Sequence, residues 1–417
     1  EPERLTSDEQ VYLLAGKRRV DGSLHSLVEL AELVDVVIED RSPGWLAAAG
    51  VDPDRYRAAD PRRVVTSISP FGQSGPRSHW QTTNAVQFAA GGLMSLTGRP
   101  DRPPLVTGGS QAFYLGGLHA FAATTGVLFG RQRNGTGNWL DLSMQECAAS
   151  MHELYGAMSA YELDDTPVPR SGNSVRSTWG VYSAADGWAG VCCLERQIPA
   201  FFELLGDAVA GDARFVDPLL RPGHDDELLA HVMGFMLDHT QAELLALSPV
   251  HRVPFGAVVT QHDLLTDPGM EERGFFDTVA TSDGVATIPG RLFPGLGWSA
   301  PDRLHSPGED TVDFDQGPAR AAPTTARRAQ NKRPLEGIRI ADLTMMWAGP
   351  YCTKLLAELG AEVIKIESPN AWDNIRTLVA QDSSIADPWN SAYYFNEYNH
   401  SKQSLTLDLA SAEGREL

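Results

Sequence analysis

The chain has 417 residues, of which 42% are hydrophobic and 21% charged, proportions of an ordinary globular protein long enough for two or three domains. Its net charge of −20 argues against nucleic acid as a partner, since phosphate binding needs a basic surface, but leaves room for an anionic cofactor held by a few local donors. No apolar run approaches the roughly 20 residues that span a bilayer, Glu1 opens the chain without a basic-then-apolar leader, and Cys147, Cys192, Cys193 and Cys352 lack metal-ligand spacing, so a cytoplasmic protein with no membrane contact and no metal is expected.

Residues 33–38 (LVDVVI) and 63–69 (RVVTSIS) are short β-branched runs suited to buried strands, with turn signals at 42–44 and 51–53 between them. Residues 84–97 and 109–129 are long, small-residue-rich apolar stretches that read as packed helices. A Gly-Thr-Gly turn at 135–137 leads into a strand at 139–143. Met151, Leu154, Tyr155 and Met158 then recur at helical spacing, which predicts a helix over 145–163. Asp, Pro and Gly gather at 164–172, and WGVYSAADGWAGVCCLE (179–195) reads as a hairpin around Ala-Asp-Gly. Helices follow at 198–205 and 226–247.

Residues 306–333 are rich in Asp, Pro, Ala and Arg without apolar periodicity and read as a linker. Beyond it come a strand (338–343), a helix (349–359) and a strand (362–366), with Gly360 where a helix C-cap glycine belongs. A last strand (403–409) ends near the start of another helix. Alternation of this kind gives a mainly parallel α/β sheet. His119, on a small-residue helix, reads as a packed, hydrogen-bonded core residue, and Ser110 has no nearby base and no nucleophile-elbow context.

Several blocks in one order, PLEGIRIADLT with AGPYCTKLLAELGAEVIKIE (334–367), DVVIEDRSPGWLAAAG (35–50), SISPFGQSGP (67–76), GGLMSLTGRPDRPP (91–104), residues 117–146 and residues 254–276, resemble the family III CoA-transferases. That group includes formyl-CoA transferase, carnitine CoA-transferase and α-methylacyl-CoA racemase. The resemblance implies an α/β fold: a Rossmann-like large domain with a mainly parallel sheet, a smaller α+β domain, and two units interlocked with active sites at their interface. The block that opens the family's domain lies near the end of this chain, so the expected organisation is the tail of one repeat followed by the head of the next. Residues 1–165 would be the large α/β part of a first repeat lacking its N-terminal segment, and 166–305 its small domain and return. Residues 306–333 would be the linker, and 334–417 the N-terminal segment of a second repeat. Lys17-Arg18-Arg19-Val20 and Lys402-Gln403-Ser404-Leu405 would mark one point of that repeat.

The resemblance further implies coenzyme A as substrate and product, an acyl-CoA and a small carboxylic acid as partners, no metal, and an interlocked second repeat or second chain. An Asp carboxylate in such enzymes attacks the thioester and then carries CoA as an aspartyl thioester. Here the matching position is Phe113, whose ring has no lone pair to attack with. Asp101 and Asp141 fall in other blocks. The racemase pair of the family would fall at Thr83 and Phe113, neither fit to exchange a proton at carbon. Trp347, Ala348, Gly349 and Pro350 would lie against the pantetheine and the thioester, with Trp347 replacing a frequently polar residue. Lys402, Lys17, Arg18 and Arg41 would face the nucleotide end, and Arg376 stands where relatives often carry an Arg; solvated surface, or for Arg376 a salt bridge to Asp373, is the bland alternative. The expected activity is CoA transfer, with the first-repeat nucleophile degenerate. The alternatives are a non-catalytic acyl-CoA-binding half, or a racemase or lyase of the same group.

Overall fold

The computed structural model describes residues 7–20, 24–151, 169–281, 284–290, 333–377 and 386–416, with 293, 295, 296, 301 and 303. Side chains of 7–9 and 24–26 are outside that description. It is a mixed α/β structure with two parallel sheets.

In the first, β1 (Val36–Glu39), β2 (Val64–Ser69) and β3 (Trp139–Ser143) run parallel in that order. Their β-branched residues are why: Val37, Val64 and Val65 are buried, and Val65 joins Ala31, Leu46, Val51 and Tyr56 in one apolar cluster. The helix before β1, α2 (Leu24–Leu33), covers that cluster through Leu27 and Ala31. The second sheet holds β10 (Arg339–Asp342), β11 (Glu362–Glu367) and β12 (Gln403–Thr406), again all parallel. Helix α9 (Ala348–Glu358) connects β10 to β11 and packs Ala357 on Val363 and Leu335. Gly360 closes α9 at φ +106°, which a side chain would resist.

Between these lies an antiparallel sheet, β4 (Ser174–Arg176), β5 (Trp179–Ala184), β6 (Gly187–Cys192) and β7 (Phe255–Ala257). The expected hairpin is β5–β6, paired from Trp179↔Cys192 to Ala184↔Gly187. Its inner face, with Tyr182, Ala189 and Val191, carries α6 (Ile198–Leu205), α7 (Asp225–Leu237) and α8 (Gln241–His251) over a core that includes Phe201, Phe202, Leu228, Met236 and Leu244. A second hairpin, β8 (Phe276–Thr281) and β9 (Gly284–Pro289), receives α1 (Ser7–Leu14) through Val11 against Val279 and Ile288.

Several expectations are corrected. The single helix over 226–247 is two, because Thr240 starts α8 with a capping box: its hydroxyl accepts from Glu243 N at 3.2 Å while the Glu243 carboxylate accepts from Thr240 N at 2.8 Å. The helix over 84–97 stops as α3 (Asn84–Ala90), because Gly91 and Gly92 follow and Gly92 sits at φ +86°. The helix expected over 145–163 is α5 (Met144–Ala149) in the described residues; 152–163 lies outside them, as does nearly all of the expected linker.

The helix over 109–129 is α4 (Gln111–Asn134), 24 residues long and apolar enough by length and composition to cross a membrane, which corrects the expectation that no run approaches that length. Length and composition do not separate a membrane helix from a core helix. Here the α4 face with Ala112, Gly116, Ala120, Thr124 and Val127 is buried, and Thr124 bonds Thr66 of β2 at 2.8 Å.

Candidate functional site

Parallel α/β sheets place ligands at the carboxyl ends of their strands, where loops and helix starts converge. A cavity of about 470 Å³ opens at the carboxyl ends of β1 and β2, with Arg41, Pro43, Pro70, Trp80, Phe113 and Met144 in its wall. Arg41 and Phe113, far apart in sequence, therefore meet in one space. Phe113 is fixed there by its helix start. Buried Asn84 donates to Gly109 O at 2.9 Å and accepts from Ala112 N at 2.9 Å, pinning the first turn of α4 against α3. Arg41 lies over the Trp45 ring at 5.6 Å and Arg77 over Trp80 at 5.3 Å, while Asp40, 3.9 Å from Arg41, puts a carboxylate in the same wall, so this mouth is aromatic and carries charges of both signs.

The carboxylates that sequence proximity brings to mind are committed elsewhere. Asp141 accepts from Gln73 N at 3.0 and 3.1 Å, tying down the loop that turns through Gly72 and Gly75. Asp101 pairs with the exposed Arg99 at 2.9 Å, which holds its carboxyl below the ordinary range. Thr83 caps α3, its hydroxyl accepting from Val86 N at 3.3 Å. His119 sits in the packed role expected of it. Its Nδ1 lies 2.8 Å from Leu115 O, so Nδ1 is the donor, and Nε2 accepts from the Tyr351 hydroxyl at 2.8 Å. The bond crosses from α4 to α9.

The second locus is the turn between β10 and α9. Trp347 is the N-cap residue and Ala348, Gly349 and Pro350 form the first turn of α9, with Pro350 buried. Gly349 is demanded by packing, since a methyl there would stand 2.3 Å from Thr344 Cβ. The Trp347 ring meets that of Trp179 at the start of β5, with centroids 5.9 Å apart and planes at 58°. The Trp347 indole Nε1 is buried without a hydrogen-bond partner. An unpaired buried donor of this kind calls for an acceptor.

Lys402 belongs to this locus, but from below. Its side chain is 1% exposed, and Nζ lies within 3.0 Å of Asp342 Oδ2, Pro350 O, Thr353 Oγ1 and Asn399 Oδ1. Three N–H groups facing four protein acceptors leave nothing for a phosphate, so the structure does not display Lys402 towards a nucleotide. Arg376 is similarly engaged. It grips Glu367 through Nε and Nη2 at 3.0 and 2.7 Å and lies 3.3 Å over Phe395. Its ion-pair partner is Glu367; Asp373 instead pairs with Lys365 at 3.0 Å. Lys17 and Arg18 are exposed beyond α1 and line neither locus. The structure thus unites Arg41 with Phe113, and Trp347–Pro350 with Lys402, as two separate groups.

Sequence reasoning missed Trp179, Trp80, Lys365 and Asp342. One signal existed for Lys365: in EVIKIE of β11 the buried positions alternate as Val363, Lys365 and Glu367, so two charges share the inner face with a valine. Burial drives the Asp342 carboxyl up, but hydrogen bonds from Thr344, Thr353 and Lys402 outweigh it and hold the group down at about 2. The Lys402 ammonium is lowered, burial outweighing the support of Asp342.

The profile of CoA-transferase family III matches residues 20–307 and 335–417. Probable CoA-transferase Rv1866 of Mycobacterium tuberculosis is 28% identical over 404 residues, covering 93% of this chain and 49% of the relative, so the chain spans about half of that protein's length. Succinate–glutarate CoA-transferase of Agrobacterium fabrum is 27% identical over 282 residues, covering 67% of this chain and 70% of the relative. Among solved structures, a CAIB/BAIF family protein from Brucella suis superposes with a TM-score of 0.62 at 26% identity, covering 72% of this chain and 81% of that one. With two matched segments that together span most of its length, the chain belongs to CoA-transferase family III.

Proposed function

We propose that the chain is part of an enzyme that moves CoA between an acyl-CoA and a small carboxylic acid through an aspartyl thioester, and that its own nucleophile position, Phe113, is degenerate. In that reaction an Asp carboxylate attacks the thioester carbonyl and expels CoA thiolate, leaving a mixed anhydride. The thiolate then attacks the aspartyl carbonyl, releasing the donor acid as carboxylate and leaving CoA on the Asp. The acceptor acid's carboxylate reverses the sequence and departs as the new acyl-CoA. No metal takes part in it. The observation that carries this reading is Phe113 in the wall of the cavity at the carboxyl ends of β1 and β2. In the same proposal a second repeat supplies the Asp one repeat length beyond Phe113, and the two units interlock. Residues 1–165, 166–305, 306–333 and 334–417 divide the chain accordingly. Leu118 and Phe121, exposed on the outer face of α4, are surfaces such a unit would cover. The Trp347–Pro350 turn receives the pantetheine end, and Arg41, exposed in the wall of the cavity that holds Phe113, is the cation placed to pair with a CoA phosphate. Acids of the kinds in the relatives' names, succinate and glutarate, are the first acceptors to try. The four unpaired cysteines support a reducing, cytoplasmic setting.

The test is to incubate the chain and its Phe113→Asp variant with acyl-CoA and identify covalent products by mass spectrometry. The unaltered chain should form no CoA adduct, and the variant should carry one at residue 113. An adduct on an Asp or Glu of the unaltered chain would sink the degenerate-site account. The alternative, a half that binds acyl-CoA without turnover, is favoured if the variant binds CoA yet never forms the adduct.

A further inference from the structure

The turn between β10 and α9 is held from beneath by two lysine–aspartate pairs. Asp342, the last residue of β10, accepts from Thr344 N and Oγ1 at 3.0 and 2.6 Å through one carboxylate oxygen. Through the other it accepts from Thr353 Oγ1 at 2.7 Å and Lys402 Nζ at 3.0 Å. Lys402 reaches on to Pro350 O at 3.0 Å, so it also holds the far end of the turn. From β11, Lys365 donates to Thr344 O and, at 3.0 Å, to Asp373, whose second oxygen accepts from Met346 N at 3.0 Å.

Every one of these groups is sealed from water, the four side chains being at most 2% exposed. Met346, inside the turn, sits at φ +67°, in the left-handed region that a side chain enters only when its surroundings impose it. Buried ion pairs contribute little net stability, because desolvation offsets their attraction. Their clear effect here is geometric: they fix the backbone from which Trp347, with its unpaired indole N–H, projects beside Trp179. A third buried lysine on α9 offers a contrast. Lys354 pairs with Glu397 and Glu358 and has no bond to the turn.

We propose that Lys402, Asp342, Lys365 and Asp373 are positioning residues that hold the 344–350 turn in the form that receives the thioester end of acyl-CoA. This rests on the reading of that turn given above, and it gives Lys402 a role other than nucleotide contact.

The test compares Lys402→Met, Lys365→Met and the control Lys354→Met in the 417-residue chain. Amide exchange is followed at Thr344 and Met346, and affinities for CoA and for 3′-dephospho-CoA are measured by calorimetry. Each of the first two variants should speed exchange at both amides and weaken both ligands alike, by about tenfold, the loss expected when a hydrogen bond to a charged group is removed. Lys354→Met should leave exchange and affinity as in the unaltered chain. Should Lys402→Met not fold, the double variant Lys402→Met/Asp342→Asn removes the unpaired buried charge and still leaves Pro350 O unheld, so its exchange should stay fast. Equal exchange in all variants overturns the proposal. A loss confined to CoA, with 3′-dephospho-CoA unaffected, overturns it too, because Lys402 would then be a phosphate contact. If the unaltered chain binds no CoA, the functional reading fails, and the exchange pattern alone decides the positioning role.

Discussion

A phenyl ring at position 113 and an ammonium at position 402 were judged from the same information, their residue types and neighbours in sequence. The first judgement needs only chemistry, since no placement makes a phenyl ring a nucleophile. The second needs burial, which is a tertiary property, and the 1% exposure of Lys402 moves it from surface cation to internal strut. Asp342 opposite it provides a pH signature. Its carboxyl is held at about 2 in the fold, below the value near 3.9 of an unfolded chain, so its contribution is full above about pH 4 and is lost as pH falls through about 2. Urea denaturation of Asp342→Asn between pH 5 and pH 2 should show about 2 kcal/mol less stability to lose than the unaltered chain. An unchanged acid limb would contradict the assignment. Gly349→Ala should cost about 1–3 kcal/mol in the same assay, because the added methyl meets the branched Thr344 side chain, itself held by Asp342.

Among the elements, α4 does the most to organise the site. Its first turn places Phe113, its middle bonds Tyr351 through His119, and its last turns meet the segment that begins the second parallel unit. Close approach there depends on glycine: a methyl at Gly126 would lie 2.8 Å from Leu359, and one at Gly130 would lie 2.5 Å from Pro334 O. The Leu359 side chain can turn aside, whereas the Pro334 backbone has nowhere to go. Gly130→Val should therefore destabilise the chain by about 1–3 kcal/mol, read from the denaturation midpoint, and expose the 333–377 segment to faster amide exchange. Slower exchange there, or none altered, would mean the two units are not joined through α4. The long apolar character that makes α4 resemble a membrane span follows from this placement, since one face must fill the space over β2 and β3. Of the helix ends, the stop at Gly360 was legible from backbone freedom alone, whereas the start at Thr240 with Glu243 was passed over inside a continuous apolar stretch.

At the scale of the whole molecule, the described residues form two three-stranded parallel sheets with an antiparallel one between them in sequence, and the outer face of α4 leaves Leu118 and Phe121 more than half exposed. If a second unit covers that face, sedimentation of the chain should show self-association that Leu118→Glu with Phe121→Glu abolishes; a monomer at all concentrations would argue against an interlocked copy. Strand type, sheet polarity, the hairpin at 179–195 and family membership were all legible in the sequence, because each depends on residues close in the chain or on blocks in fixed order. That position 113 carries a phenyl ring was legible for the same reason, and the degenerate nucleophile proposed on it is a matter of that one residue's chemistry. What only the tertiary structure decided is which cations remain free and which are enclosed, which carboxylates already have partners, and that Trp179 meets Trp347 although the two lie far apart in sequence. Those outcomes depend on burial and on contacts between distant segments, and a hydrogen bond's worth, like a lysine's availability, is set by whether water can still reach it.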